Sequence, residues 1–203
     1  MLQKQTVAPE LLELLEKLML EDTFSNFNLV GGTSLALQIG HRNSIDIDLF
    51  GNAAIETDLF IDIISKIGKT QVLSFSKNIL ITNINNIKVD FVCYNYPLLD
   101  AHLLINNIRL VAKKDIAAMK LNAIAGRGSK KDFIDIFYLL QEFELKDMFD
   151  FYSQKYNNNS IFMVYKSLSY FDEADIQPQP LVYDKHFTWE KCKQKIILEI
   201  KKI

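Results

Sequence analysis

The sequence predicts an α/β (α+β) domain with a small mixed sheet, followed by a helical C-terminal region. In the first half of the chain, short β-rich runs alternate with amphipathic helical patterns. Two of the β-rich runs are joined by Asn85-Asn86, and asparagine tolerates the backbone geometry of a tight hairpin turn. From Lys113 onward the pattern is helical. We therefore expect a sheet-containing domain over residues 1–112 and a helical region over residues 113–203 that completes its cleft.

The composition is that of an ordinary soluble protein. The 203 residues are 49% hydrophobic and carry a formal net charge of -2, so no overall basic field attracts nucleic acid. Cys93 and Cys192 lie far apart in the sequence without a histidine pattern nearby, which argues against a zinc site and favours a reducing compartment. No apolar run reaches the roughly 18 residues of a membrane span. We therefore expect a cytoplasmic protein with no membrane contact.

The local pattern predicts most elements of the first 143 residues and fewer after that. Pro9 can open a helix, and Gly40 can end one. The predicted elements are helices that start at Pro9 and span 33–39, 57–67, 114–125, 131–143 and 189–202, strands at 27–30, 44–50, 78–84 and 87–94, a loop at 156–160 and an extended connector at 177–180.

Two carboxylates share one face of the strand predicted at 44–50. Asp46 and Asp48 are separated by one residue, whereas Ile45, Ile47 and Leu49 point to the other face. An acid pair of this kind often marks an exposed strand edge or a turn, but here apolar residues surround it. A two-metal phosphoryl-transfer site needs carboxylates around ions about 3.5–4 Å apart.

A third acid lies in another apolar strand. Asp90 sits between Val89 and Phe91, where a carboxylate needs an explanation. We expect Asp46, Asp48 and Asp90 to bind Mg²⁺, with Mn²⁺ as the alternative ion.

A glycine pair before a helix predicts a phosphate-binding turn. Gly31 and Gly32 expose their backbone N–H groups, because they have no side chains to cover them. Thr33 and Ser34 add hydroxyls, and the helix dipole favours anions. The alternative is an ordinary tight strand-to-helix turn.

Two further polar residues lie between this helix and Asp46. Arg42 belongs to a surface loop or contacts a phosphate or base, and Ser44 shares the strand face of Asp46. We count Arg42 and Ser44 as candidate nucleotide-binding residues.

These residues resemble a known family. The segment 31–50, with its glycine pair, short helix and Asp46-Ile47-Asp48, is similar to the first motif of the AbiEii/AbiGii toxin family within the DNA polymerase β-like nucleotidyltransferase superfamily. The strand 87–91 resembles the strand that carries the third acid. The resemblance covers residues 29–140 and implies the superfamily fold, an NTP substrate and an Mg²⁺-dependent transfer.

A third match extends from Asp115 through Arg127 to Ile136, and it resembles the closing motif of that family. The resemblance implies that Lys120 and Asp135 face the nucleotide, with Lys131 in support. From the residues alone, Lys120 either extends from an apolar helix face towards water or points into a cleft, and Asp135 can form a simple i,i+4 ion pair with Lys131.

The resemblance implies a toxin of a toxin–antitoxin or abortive-infection system that transfers a nucleoside monophosphate to a hydroxyl of RNA, such as a tRNA 3′ end. A cognate antitoxin is then an expected partner. The alternatives are a transferase that modifies a protein or a small molecule, and a non-catalytic nucleotide-binding module. Lysines of the last helix could form an RNA-facing patch with Arg127 and Lys130, or simply a solvated helix face. These lysines are Lys191, Lys193, Lys195, Lys201 and Lys202.

Overall fold

The structure is a computed structural model that describes residues 1–157 and 160–203. Asn158 and Asn159, which belong to the loop predicted at 156–160, lie outside the described residues. The chain divides into two compact units. The sheet unit comprises Met1–Tyr96 and Ala101–Val111, and the helical unit comprises Pro97–Asp100 and Ala112–Ile203. Within the described residues, no helix is both long enough and apolar enough to cross a bilayer.

The sheet unit contains three α-helices, two short 3-10 helices and one seven-stranded mixed sheet within its described residues, which confirms the predicted fold class. The strands lie in the order β3-β4-β5-β2-β1-β7-β6. Strand β2 runs parallel to β5, β1 runs parallel to β7, and the other neighbours are antiparallel. The elements are α1 (Pro9–Leu20), β1 (Phe27–Leu29), α2 (Gly31–Ile39), β2 (Ile47–Gly51), α3 (Thr57–Ile67), β3 (Thr70–Ser76), β4 (Ile79–Ile84), β5 (Ile87–Cys93), β6 (Leu103–Ile105) and β7 (Ile108–Leu110).

Aromatic residues at the centre of the core join the strands to α3. Phe24, Phe27, Phe60 and Phe91 lie with ring centroids 4.8–6.0 Å apart, a distance range typical of favourable edge-to-face contacts. Side chains alternate along β2 and β5, so the same core takes one face of both strands. Acidic residues between the buried positions are thereby left on the opposite face.

The predicted strand at 44–50 is shorter than expected. β2 begins at Ile47, and Ile45 is 68% exposed instead of facing the core. The predicted helix at 33–39 begins two residues earlier, at Gly31, and ends as expected at Gly40, which adopts a φ of 74°. Both differences arise where the chain leaves one element for the next.

The predicted hairpin between β4 and β5 is confirmed, because Asn85 and Asn86 adopt φ values of 51° and 67°. A second hairpin, between β6 and β7, turns on Asn106 and Asn107 with φ values of 52° and 63°. Its asparagine pair was a sequence signal that the prediction missed. Strand β3 was also missed because most of its side chains are exposed and lack the burial alternation of a typical strand.

The helical unit packs around α4. This helix contacts α5, α6 and α7, and α5 in turn packs against α9. The predicted helix at 131–143 ends earlier, at Leu139, and the helices α6, α7 and α8 were not predicted individually. The helices are α4 (Lys113–Gly126), α5 (Lys130–Leu139), α6 (Leu145–Lys155), α7 (Ile161–Ser167), α8 (Asp172–Asp175) and α9 (Trp189–Ile200).

A buried ion pair attaches the short segment Pro97–Asp100 to this unit. Lys155 Nζ lies 2.7 Å from Asp115 Oδ1, and it also donates to the carbonyl oxygen of Pro97 at 2.7 Å. The Asp115 carboxylate accepts hydrogen bonds from the backbone N–H groups of Leu99 and Asp100. Both side chains are almost completely buried, so each charge depends on the other.

We expect Lys155→Met to lower the free energy of unfolding by about 3–5 kcal/mol, because it leaves the Asp115 carboxylate buried without its cation. Urea denaturation followed by circular dichroism measures this change. Lys17→Met removes an exposed partner of Glu13 and should leave the free energy of unfolding close to that of wild type. A Lys155 effect as small as that of Lys17 would contradict this interpretation.

Candidate active site

The pairing of β2 with β5 brings two of the predicted carboxylates together. The strands are parallel, and Asp48 lies directly opposite Asp90 in their register. Both residues alternate with buried neighbours and therefore project from the face opposite the core. Neighbouring strands lie about 4.8 Å apart, so the two acids are adjacent side chains.

One oxygen of Asp90 has no hydrogen-bond donor. Asp90 Oδ2 is paired with Lys88 Nζ at 2.5 Å, whereas Oδ1 is buried without a hydrogen-bond partner among the described residues. A buried carboxylate oxygen without a donor is unfavourable, and a bound cation would satisfy it. The donor set beside it, a second carboxylate, is the kind that Mg²⁺ prefers. On this observation the residues fit a divalent cation.

Asp46 lies immediately before β2, two residues from Asp48. Its carbonyl oxygen accepts a hydrogen bond from Thr33 Oγ1, and the same hydroxyl lies 2.8 Å from Ser44 Oγ. Thr33 and Ser44 thus connect α2 to the start of β2. In residues 1–157 and 160–203, no three His, Cys, Asp or Glu side chains are gathered closely enough to hold a metal ion by themselves. Mg²⁺ commonly completes its coordination with water and substrate phosphates.

Gly31 brings the Asp48 carboxylate against the beginning of α2. Gly31 has a φ of 69°, and a Cβ at this position would lie 2.7 Å from Asp48 Oδ2. The backbone N–H of Val30 donates to the carbonyl oxygen of Asp48 at 2.9 Å. Only a residue without a side chain allows this approach. The first turn of α2 therefore lies beside the acid pair.

The start of α2 offers backbone donors to an anion. Among the described residues, no side chain caps this helix. Its first N–H groups and its dipole favour negative charge. Ser34 is fully buried and accepts a hydrogen bond from Gln38 Nε2 at 3.2 Å, and Thr33 has the internal contacts given above. The groups of this turn that could bind an anion are thus backbone N–H groups, chiefly those at Gly31 and Gly32.

Arg42 adds a positive charge to this turn. Its guanidinium packs against Gly32, in the space that a Cβ would occupy, and its Nη1 donates to the carbonyl oxygen of Asn43 at 2.8 Å. His41 and Arg42 are both buried. The alternative of a surface loop at this position is therefore wrong, because Gly32 leaves room for the arginine inside the unit.

The residues of the third predicted motif form a buried ion cluster within the helical unit. Lys120 Nζ lies 2.8 Å from Asp132 Oδ1 and 2.7 Å from Asp135 Oδ2. Arg127 donates to both oxygens of Asp132, at 2.9 and 3.2 Å, and Ser129 Oγ donates to Oδ2 at 2.5 Å. Lys120 is therefore shielded from water, and its ammonium group contacts two buried carboxylates.

The charges of the cluster control the titration of Asp132. Burial would raise the pKa of its carboxyl, but the positive charge of Lys120 and the hydrogen bonds from Arg127 outweigh burial and hold the pKa well below its usual range. Asp135 is fully buried, whereas Lys131 is exposed at the start of α5.

Sequence reasoning missed one interaction in each unit. Lys88 shares the strand face of Asp90, as the strand period predicts, but its ion pair with Asp90 was not predicted. Arg127 was known only as part of a motif and a basic patch. Its bond to Asp132 depends on how α4 and α5 meet, which local patterns do not contain.

The expected basic patch has internal partners instead. Lys130 is buried and donates to the carbonyl oxygens of Asp175 and Gln177. Lys193 pairs with Asp175 at 2.9 Å. Lys195 and Lys202 both contact Glu199, each at 2.7 Å. These pairs neutralise much of the positive charge that the sequence places there.

Comparison with known proteins supplies a family match, a relative and several similar folds. The family model described as nucleotidyl transferase AbiEii toxin, type IV toxin–antitoxin system, matches residues 13–199. An uncharacterized protein of Aquifex aeolicus (strain VF5) is 38% identical over 178 residues, with 82% of this chain and 86% of that protein covered.

Two of the similar folds are solved structures whose sequences have low identity to this chain. A candidate nucleotidyltransferase from H. pylori has a TM-score of 0.61 at 15% identity, with 95% of this chain and 91% of that chain covered. MenT4, a nucleotidyltransferase toxin from Mycobacterium tuberculosis H37Rv, has a TM-score of 0.60 at 14% identity, with coverage of 96% and 83%. At such identities the two structures establish a shared fold.

We expect Gly31→Ala to lower the free energy of unfolding by at least about 1–2 kcal/mol, because alanine is strained at positive φ and its Cβ would displace the Asp48 carboxylate. Gly126→Ala is the matched control. Gly126 lies in α4 with open space around a Cβ, so alanine should stabilise the protein by about 0.5–1 kcal/mol. Chemical denaturation of both variants measures the difference, and equal effects would contradict the close approach of Asp48.

We expect Lys120→Met to cost about 3–5 kcal/mol of stability at pH 7, since it leaves two carboxylates buried without their shared cation. In the wild type, the lowered pKa of Asp132 contributes stability that persists down to about pH 4 and is lost below it. In the variant, burial favours protonated carboxyls, so acid relieves the penalty.

The difference between wild type and Lys120→Met should therefore shrink as the pH falls from 7 to 4. Unfolding curves at several pH values measure it, with Lys17→Met as the exposed control. A difference that stays constant or grows over this range would be inconsistent with charge as its cause.

Proposed function

This chain belongs to the AbiEii family of nucleotidyltransferase toxins, and from this premise we propose that it transfers a nucleoside monophosphate from an NTP to a hydroxyl of RNA, such as a tRNA 3′ end, with Mg²⁺ as cofactor. One observation carries the proposal. Asp48 and Asp90 are adjacent on parallel strands, and Asp48 also touches the glycine turn that begins α2. Carboxylates for a cation thus lie next to backbone donors for phosphate.

The proposed cation ligands are Asp46, Asp48 and Asp90. The Asp90 oxygen that lacks a hydrogen-bond donor supports the assignment of Asp90 as a ligand, because that oxygen would gain a partner when a cation binds. When bound, Mg²⁺ would neutralise charge on the phosphates and lower the pKa of a coordinated hydroxyl. Mn²⁺ has similar oxygen preferences and is the alternative ion.

The proposed phosphate site is the first turn of α2. The N–H groups of Gly31 and Gly32 and the positive end of the helix would hold the triphosphate. Arg42, packed on Gly32, adds a guanidinium to the same turn and would stabilise the charge of the departing pyrophosphate. The proposed role of the hydroxyl residues is indirect, because their hydrogen bonds hold α2 and the start of β2 in place. These residues are Thr33, Ser34 and Ser44.

The reaction forms a bond between the acceptor oxygen and the α-phosphorus and breaks the bond to the bridging oxygen of the β-phosphate. Pyrophosphate leaves with that electron pair, and Asp90 is the proposed acceptor of the hydroxyl proton. The chain's contribution is to align the two oxygens and to offset charge, which supplies most of the rate in phosphoryl transfer.

Lys120 and Asp135 are proposed as positioning residues, and Lys131 as an exposed group that contacts the nucleotide or the RNA. The buried cluster of Lys120, Asp132 and Asp135 fixes the guanidinium of Arg127, whose side chain is 62% exposed. Within the helical unit, an exposed cation held in one orientation is better suited to bind a phosphate group than a mobile one.

The proposed setting is the cytoplasm, where NTPs and tRNA are available. The two cysteines, Cys93 and Cys192, are both present as thiols, which agrees with a reducing compartment. A cognate antitoxin is the other partner that we propose, because the family is one of toxin–antitoxin systems.

The transfer is tested with each of four α-³²P-labelled NTPs and total RNA in Mg²⁺. We expect wild type to label RNA with at least one of them. Asp46→Asn, Asp48→Asn and Asp90→Asn should each reduce labelling at least about a hundredfold, because they remove charge opposite the cation and phosphates.

Asp62→Asn is the matched control, since Asp62 is an exposed acid on α3. It should label RNA at the wild-type rate. Absence of RNA labelling by wild type with every NTP, or equal labelling by the three site variants, would refute the proposal. A labelled protein band instead of RNA would assign the acceptor to another class.

A further inference from the structure

We propose that Phe50, Tyr94 and Tyr96 form a stacking platform for an unpaired nucleobase at the end of the acceptor RNA. This inference rests on the proposed function and adds a binding subsite for the acceptor. The three rings make a continuous row in the sheet unit, with centroids 5.1 Å apart between Phe50 and Tyr94 and 4.9 Å apart between Tyr94 and Tyr96.

The row begins on the same face as the carboxylates. Phe50 follows Asp48 by two residues on β2, and Tyr94 lies just past the end of β5, four residues after Asp90, so continued strand alternation places both rings on the acidic face. The backbone N–H of Tyr94 donates to the carbonyl oxygen of Gly51, which continues the pairing of the two strands. Phe50 therefore lies about 7 Å along the strand from Asp48, within the length of one nucleotide.

All three rings of the row are partly exposed to solvent. Their interplanar angles are 49° and 53°, so they are tilted and do not cover one another face to face. Phe50 and Tyr94 are half-buried, and Tyr96 is 47% exposed. Bases stack on partly exposed aromatic rings with little dependence on sequence.

The position of the row favours the acceptor over the NTP. Because β1 runs antiparallel to β2, Gly31 lies beyond Asp48 towards the start of β2, whereas Phe50 lies towards its end. Phosphoryl transfer requires the attacking and leaving oxygens to be roughly in line on opposite sides of the phosphorus. With the leaving pyrophosphate at the glycine turn, the acceptor approaches from the side of the aromatic row.

A nucleobase is the ligand chemistry that fits this surface. Sequence-specific and end-specific recognition of RNA uses unstacked bases on aromatic side chains, with phosphates held by nearby cations. Lys88, which shares the acidic face, and the buried Arg42 supply positive charge in the same unit. A duplex end offers no splayed base, so the platform selects single-stranded ends.

The test uses a 5′-fluorescein-labelled single-stranded RNA 12-mer and the same RNA with abasic residues at its last two 3′ positions. Fluorescence anisotropy measures the affinity of the full chain for both. We expect wild type to bind the intact RNA about tenfold more tightly than the abasic RNA. Tyr96→Leu and Phe50→Leu should weaken binding of the intact RNA to the abasic level and leave abasic binding unchanged.

Two control variants separate stacking from stability. Tyr96→Phe keeps the ring and should bind like wild type. Phe75→Leu removes a 66% exposed aromatic on the edge strand β3 and should have no effect. Tyr96→Leu alters an exposed side chain, so its melting temperature should match wild type even if Phe50→Leu is destabilised.

Equal affinity of wild type for the two RNAs, or no detectable binding of either, would overturn the platform. Binding of a fluorescent NTP without RNA provides a further arm: if Tyr96→Leu weakens NTP binding but not RNA binding, the base belongs to the NTP and the proposal is wrong. The labelling assay is read separately. Base-dependent RNA binding without any transfer would refute the proposed function alone, and transfer without base dependence would refute the platform alone.

Discussion

The site depends on the parallel pairing of β2 with β5, which places two negative charges side by side. Two unit charges 4 Å apart repel by about 1 kcal/mol in water and about 4 kcal/mol at the effective dielectric of a protein surface. The two acids contribute nothing to the packing of the core, because Asp48 and Asp90 point away from it. Lys88 offsets part of the repulsion at Asp90. A divalent cation would offset more, and would also satisfy the oxygen that Lys88 leaves without a donor.

The glycine turn follows from the same arrangement of strands. Strand β1 is antiparallel to β2, so the chain that leaves β1 passes directly beside Asp48 before α2 begins. Any side chain at Gly31 would meet the carboxylate, and any at Gly32 would meet Arg42. Two adjacent glycines are therefore needed for two different neighbours. Carboxylates, backbone donors and a guanidinium come within reach of one another because the backbone approaches this closely.

Local patterns predicted what local forces determine. The alternation in β2, the turn at Asn85-Asn86 and the span of α3 were all correct, because each is set by residues a few positions apart. The sequence also singled out Asp90, since an acid among apolar strand residues is costly wherever it lies. That Asp90 would sit opposite Asp48 did not follow from any pattern, because strand order is decided by the packing of the whole sheet.

Contacts made over long distances in sequence were harder to predict for the same reason. The burial of Arg42 depends on Gly32, ten residues earlier, and the environment of Lys120 depends on α5. In both cases the sequence left two alternatives open, an exposed residue or a residue of the site. The structure shows that both side chains are buried against other polar groups. Strand β3 was missed because it is an edge strand whose exposed side chains carry no burial pattern.

The two groups of acids in this chain differ in how far the protein satisfies their bonding capacity. Asp132 and Asp135 are completely buried, yet cations contact both, and Asp132 accepts bonds from Lys120, Arg127 and Ser129. Such a cluster is satisfied by the chain itself, and its charges serve to hold α4 and α5 in place. Asp90 is less buried but keeps an oxygen that the described chain does not satisfy. By burial alone, the helical cluster would be the stronger candidate for a ligand site. The Asp90 oxygen that lacks a hydrogen-bond partner favours the acids of the sheet instead. Because a ligand can bind only where the protein has left bonding capacity unused, we place the chemistry on the strands and assign the helical cluster to positioning.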